Sequence, residues 1–97
     1  MYLIVLQLHG PGTDFPDPAR LTETLASLTE SGDRVEHLRV LCGPGRIDLA
    51  VFLLATSART AEVVARALCL RALALPELLL WQLTTSGVVD PNLSDLS

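Results

Sequence analysis

The chain has no lysine, and each of its seven basic side chains is an arginine. These arginines are spread between residues 20 and 71 without forming a cluster, and eleven acidic residues bring the formal net charge to −4. Proteins that follow a nucleic-acid backbone present a basic patch or stripe to the phosphates. The charge pattern therefore predicts that nucleic acid is not a partner.

Cysteine and histidine are scarce, with two of each among 97 residues. They have no recognised zinc-motif spacing, and nothing indicates a disulfide framework or an activated thiolate, so Cys42 and Cys69 are expected to be small buried thiols. The N-terminal stretch MYLIVLQLHG lacks the basic start and the cleavage site of a signal peptide. We therefore expect no catalytic residue, no metal, no other cofactor and a reducing, cytoplasmic location.

Long apolar runs are also missing. The longest one, residues 49–55, is far shorter than the roughly 20 residues of a membrane-spanning helix, so a membrane is not an expected partner. Nevertheless, 49% of the residues are hydrophobic and the mean hydropathy is +0.43. A domain of this size buries only roughly 60–65% of its unfolded surface. The apolar surplus predicts a protein partner, most simply a second copy of the chain.

Segments with regular hydrophobic spacing follow one another along the chain. Leu21, Leu25 and Leu28 form one stripe of an amphipathic helix, whereas several apolar runs are too short for a helix and end at glycine or proline. The predicted order is β-α-β-β-α-β, with strands at 2–9, 35–42, 47–54 and 78–85 and helices at 17–32 and 57–73.

This order predicts an α+β fold of the ferredoxin-like split βαβ kind. One antiparallel sheet would carry both helices on one face, and right-handed crossovers would place strands 1 and 3 in its centre. We expect a single domain over residues 1–87, followed by a polar C-terminal tail over residues 88–97.

Helix ends and loops carry recognisable signals. Asp17 is expected to accept hydrogen bonds from the first turn of helix 1, and Gly32 to close that helix in a left-handed conformation. Thr56 or Ser57 is expected to cap helix 2. Phe15, in the loop before helix 1, is expected to pack against the end of the core.

Two Gly-Pro-Gly stretches, HGPG at 9–12 and CGPGR at 42–46, follow the first two strands. A connection with an even number of residues sets Cys42 opposite Ile47 and gathers the apolar side chains of both strands on one face, which predicts a hairpin turn. The first stretch lacks the lysine and Ser/Thr of a phosphate loop. Alternation sends His9 and Cys42 to opposite faces, which disfavours a shared zinc ion. Both stretches are therefore interpreted as connectors.

The sheet face away from the helices is unusually apolar. A face exposed to solvent normally has a more consistent polar set, and an apolar patch indicates an interface or a ligand groove. The side chains expected there are Leu3, Val5, Gln7, His9, His37, Arg39, Leu41, Asp48, Ala50, Phe52, Leu78, Leu80, Gln82 and Thr84. Of these, the predicted interface comprises Val5, Gln7, His37, Arg39, Leu41, Ala50, Phe52 and Leu80.

Two functions from different classes remain open. The first is a non-catalytic protein–protein interaction or assembly module that associates through this face with itself or with a larger protein. The second is a small enzyme or ligand-binding protein of the dimeric α/β-barrel kind. Its pocket would lie between two sheets and be lined by His9, His37, Arg39 and Asp48. An enclosed pocket needs small central residues, and Ala50 is the only candidate, so the first function is favoured.

Overall fold

The computed structural model describes residues 1–89, which form one four-stranded antiparallel sheet and two α-helices. The strands are β1 (Tyr2–His9), β2 (Val35–Gly43), β3 (Arg46–Leu53) and β4 (Gln82–Val89). The α-helices are α1 (Pro18–Leu28) and α2 (Ala58–Leu73), and each is followed by a short 3-10 helix, at Ser31–Asp33 and Pro76–Leu78. The predicted α+β class and the predicted order of strands and helices are confirmed.

The strands lie in the order β2-β3-β1-β4, so β1 and β3 are central as expected. Each neighbouring pair is antiparallel, and Val5 of β1 lies opposite both Ala50 of β3 and Gly87 of β4. The register between β1 and β4 shifts after Gln7, where β4 contains an irregularity. This register assigns the paired residues of the strands to the two faces of the sheet.

One face of the sheet packs against both helices. Alternate residues of the two central strands are fully buried there, because strand side chains point to opposite faces in turn. α1 lies over β2, and α2 lies over β1 and β4. The buried face of α2 includes three small side chains, those of Ala61, Ala65 and Ala72. The core includes Ile4, Leu6, Leu8, Leu21, Leu25, Ile47, Leu49, Val51, Leu53, Ala61, Ala65, Leu68 and Ala72.

The fourth strand begins four residues later than its predicted start at residue 78. Pro76 opens a 3-10 helix instead, since its fixed φ suits the first position of a helical turn. Leu78 lies in this turn, and its side chain is buried in the core. The backbone N–H of Trp81 donates to the Leu78 carbonyl at 3.0 Å. Val88 and Val89, assigned above to the tail, belong to β4. The rest of the predicted tail, residues 90–97, lies outside the described residues.

The caps of α1 differ from the prediction, whereas the cap of α2 agrees with it. Asp17 occupies the N-cap position, but its side chain makes no capping hydrogen bond. α1 ends at Leu28, and Gly32 lies in a 3-10 helix. The left-handed residue is Arg34, with φ of 55°. Ser57 caps α2 by accepting a hydrogen bond from the Thr60 N–H at 3.1 Å.

A charged network replaces the expected glycine cap after α1. Arg71 of α2 donates from Nη1 to the Leu28 carbonyl at 2.7 Å and to Asp33 Oδ2 at 3.0 Å. The same carboxylate oxygen accepts the Glu30 N–H at 2.8 Å. The hydrogen bond from Arg71 holds the pKa of Asp33 below its usual value. The network therefore joins the C-terminal end of α1 to α2.

Candidate interaction surface

The two Gly-Pro-Gly stretches meet at one end of the sheet. The Gly10 N–H donates to the Gly45 carbonyl at 3.0 Å. Gly45 has φ of 65°, and a Cβ there would lie 3.0 Å from the Gly12 carbonyl oxygen. Pro44 and Gly45 form the two-residue turn between β2 and β3. Cys42 lies opposite Ile47, which confirms the predicted even connection.

Trp81 covers this junction. A Cβ at Gly10 would lie 2.5 Å from indole atoms Cδ2 and Cε2, so the ring rests directly on the Gly10 backbone. The indole is half-buried and packs against the core. Glycine is thus required at position 10 by a close approach and at position 45 by a left-handed φ.

His9 and Cys42 lie on opposite faces of the sheet. His9 is exposed, and its Nδ1 lies 2.8 Å from Thr84 Oγ1. Cys42 packs against the core on the helix side. Burial raises the pKa of Cys42 and raises that of Cys69 to about 11. Neither thiol therefore has the lowered pKa of a reactive cysteine.

We call the sheet face away from the helices the open face, and its side chains form rows across the strands. The row that crosses the middle is low, because glycine and alanine occupy two of its four positions. This central row consists of Gly87, Val5, Ala50 and Arg39. The row on one side consists of Val89, Leu3, Phe52 and His37, and the row on the other side consists of Thr85, Gln7, Asp48 and Leu41.

The flanking rows differ in how well their polar groups are satisfied. In one, Thr85 Oγ1 donates to Gln7 Oε1 at 3.2 Å, and Asp48 accepts from Arg46 Nε at 3.1 Å. The other row is mostly apolar, and Phe52 contacts the His37 ring with centroids 5.6 Å apart. Polar groups on one half of the open face thus have partners within the chain, while the apolar half faces solvent.

Seven of the eight predicted interface residues lie on the open face: Val5, Gln7, His37, Arg39, Leu41, Ala50 and Phe52. Leu80 does not, because it precedes β4 in the turn after the second 3-10 helix. The predicted face also contained Leu78, which is in the core. Gln82 lies opposite His9, and the irregularity in β4 beside Gln7 shifts the alternation, which places Thr85, Gly87 and Val89 on the open face instead of Thr84. The β-branched pair Val88 and Val89 was the sequence signal that β4 continues to residue 89.

Leu80 lines a second surface, which we call the end groove. The groove has a volume of about 390 Å³ and lies between the loop after β1 and the 3-10 helix after α2. Phe15 lines this groove with 47% of its surface exposed, so the prediction that Phe15 packs against the end of the core is wrong. Trp81 packs against the core beside Gly10 instead. The groove is lined by Pro11, Asp14, Phe15, Pro16, Pro76, Glu77, Leu79, Leu80 and Trp81.

Within residues 1–89, no helix combines the length and the apolar character needed to cross a membrane. Function must be inferred from the surfaces described above, because no protein-family model matches the chain and no similar protein is found among curated sequences.

Proposed function

We propose that this protein is a non-catalytic assembly module that forms a homodimer through its open face. The observation that carries the proposal is the apolar half of that face, which no helix within residues 1–89 covers. Its side chains are Leu3, Val5, Ala50, Phe52 and Val89. We assign the domain to the ferredoxin-like arrangement, supported by the strand order and by the packing of both helices on one face.

The relief of the open face favours a second copy as the partner. The low central row at Gly87 and Ala50 adjoins the taller row that contains Leu3 and Phe52. A two-fold axis that lies in the plane of the interface, parallel to these two rows and between them, can place the tall row of each copy over the low row of the other. Such self-complementarity is what a symmetric dimer interface requires.

The size of the face is adequate for this role. Four strands of about eight residues, at ~4.8 Å spacing and ~3.3 Å rise, cover roughly 500 Å² in projection. Side-chain relief raises the accessible area toward the ~800 Å² per subunit of a standard protein interface. Charged residues adjoin the apolar centre: Arg39 lies in the central row, and Asp48, paired with Arg46, lies in the next row.

Ala50→Glu tests the dimer, because it places an unpaired carboxylate in the centre of the contact, at a cost of roughly several kcal/mol. The wild-type protein is expected to contain dimers in sedimentation at tens of micromolar, and the variant is expected to lose the open-face contact with unchanged circular dichroism. Ala19→Glu makes the same change at an exposed position of α1 and should leave association intact. A wild-type monomer, or an Ala50→Glu protein that associates like the wild type, would contradict the proposal.

One observation favours the second candidate, a ligand pocket between two sheets. If the tall row of one copy packs on the tall row of the other, the low central rows leave a space between the two sheets, and its polar groups include His37 and Arg39. Ala50→Phe separates the two arrangements. The added ring obstructs a filled interface and weakens the dimer, whereas it occupies a hollow one and leaves the dimer intact. Retention of the wild-type dimer by this variant would favour the pocket, with His9 and Asp48 as its remaining polar groups.

A further inference from the structure

The end groove exposes more apolar surface than the middle of the open face. Leu79 and Leu80 are 66% and 75% exposed, and both line this groove beside Phe15. Its charged lining residues are Asp14 and Glu77, both acidic. The groove is therefore an apolar surface with an acidic rim, and it is complementary to an apolar segment that carries positive charge.

The outer face of α2 has that character. Arg59, Val63, Arg66 and Leu70 follow one another at spacings of four, three and four residues, which places them on one side of the helix. Val63 and Leu70 are 60% and 57% exposed. Arg66 is also exposed and lies 3.9 Å from Glu62, a weak ion pair. We call these four residues the α2 stripe.

We infer that the end groove of one copy binds the α2 stripe of another copy. The apolar pair of the stripe is two helical turns apart, about 10.5 Å along the axis, and packs against Leu79, Leu80 and Phe15. The arginines lie toward the acidic rim. The contact joins two different surfaces of the chain, so it can repeat from copy to copy or close into a ring. It is separate from the open-face dimer and does not require it.

A charge exchange tests this contact. Asp14 remains on the rim and Arg59 on the stripe, so Glu77→Arg brings the net charge of the groove rim to zero and Arg66→Glu brings that of the stripe to zero. Each variant alone loses the charge complementarity of the contact, and we expect its groove–stripe association to weaken about tenfold or more at low salt. In an equimolar mixture, the unchanged acidic groove of the Arg66→Glu copy meets the unchanged basic stripe of the Glu77→Arg copy, and assemblies larger than those of either variant alone should reappear. Sedimentation velocity of each variant and of the mixture measures this.

The controls separate this contact from non-specific charge effects and from the open-face dimer. Glu23→Arg makes the same acid-to-base change on the exposed side of α1 and should leave assembly size unchanged. Leu80→Ser should weaken the groove contact without changing circular dichroism, since this side chain is exposed. In the Ala50→Glu background, the groove contact should persist although the open-face contact is lost.

Two results would overturn the inference. One is a wild-type protein that never exceeds a dimer at about 200 micromolar and low salt while the Ala50→Glu variant is monomeric. The other is a mixture of Glu77→Arg and Arg66→Glu that is no larger than the separate variants. Recovery of large species in the mixture, with both single variants weakened, supports it.

Discussion

Replacing Gly10 by alanine tests whether close packing with Trp81 explains the first Gly-Pro-Gly stretch. The new Cβ would lie 2.5 Å from two atoms of the indole and 2.9 Å from Cε3. Ordinary carbon contacts begin near 3.4 Å, so the ring or the backbone must retreat by about 1 Å. Neither moves freely, because the backbone N–H groups of Gly10 and Trp81 are bonded to the Gly45 and Leu78 carbonyls and the indole ring packs against the core.

Overpacking of this kind costs about 1–3 kcal/mol, and we expect about 2 kcal/mol for Gly10→Ala. In a domain of this size, that corresponds to a decrease in Tm of roughly 10 °C. Trp81 is the single tryptophan, so its fluorescence in a urea titration reports on the site itself. Circular dichroism in the same titration reports on global unfolding.

A double-mutant cycle isolates the contact. In a Trp81→Leu background, the smaller side chain leaves room for the Cβ, and Gly10→Ala should cost less than about 0.5 kcal/mol. Gly43→Ala is the matched control, since a Cβ there meets nothing within 4 Å. If Gly10→Ala costs the same in both backgrounds, or no more than Gly43→Ala, close approach to Trp81 is not the reason for glycine at position 10.

Two further predictions concern the turn and the charged network. Gly45→Ala should destabilise the fold by about 1–2 kcal/mol for its left-handed φ, plus a contribution from the Gly12 carbonyl 3.0 Å away. Gly12 has a similar φ of 72°, but a Cβ there would meet nothing within 4 Å, so Gly12→Ala should destabilise the fold less in the same urea titration. An equal cost for the two substitutions would show that the Gly12 carbonyl does not add to the cost at position 45. The hydrogen bond from Arg71 lowers the pKa of Asp33 in the folded protein below the unfolded pKa near 3.8. The stabilisation that this bond gives the fold is therefore present above pH 3.8 and is lost as the pH falls through the lower pKa of the folded state. Between pH 7 and pH 3, wild-type protein should lose more free energy of unfolding than Asp33→Asn, and equal losses would refute this link.

Local alternation explains why the central sheet could be predicted from the sequence. In β1 and β3, every second residue is a large aliphatic side chain, and a shift by one residue would expose all of them. Only a connection with an even number of residues between β2 and β3 keeps Val40 and Cys42 on the same face as Ile47 and Leu49. The same alternation placed seven interface candidates on the open face, while their role in association stays a prediction.

The start of β4 depended on contacts distant in sequence. The run Leu78, Leu79, Leu80 fits a buried strand as well as a turn that sends one leucine into the core. Only the packing of Leu78 under α2 and of Trp81 on Gly10 distinguishes these alternatives, and neither is encoded in local spacing. The exposure of Phe15 could not be predicted for the same reason: the aromatic side chain that packs against the core near this loop is Trp81, which is distant in sequence.

The composition predicted a surplus of apolar residues but not where they lie on the surface. Their location indicates how many kinds of protein–protein contact are needed to cover them. Val5, Ala50 and Phe52 are already half-buried by their neighbours in the sheet. The most exposed aliphatic side chains include Leu80 in the end groove and Leu70 on the α2 stripe. An open-face dimer covers the first group and leaves the second in water. A groove–stripe contact removes the second group from water as well, so two kinds of contact account for the surplus better than one.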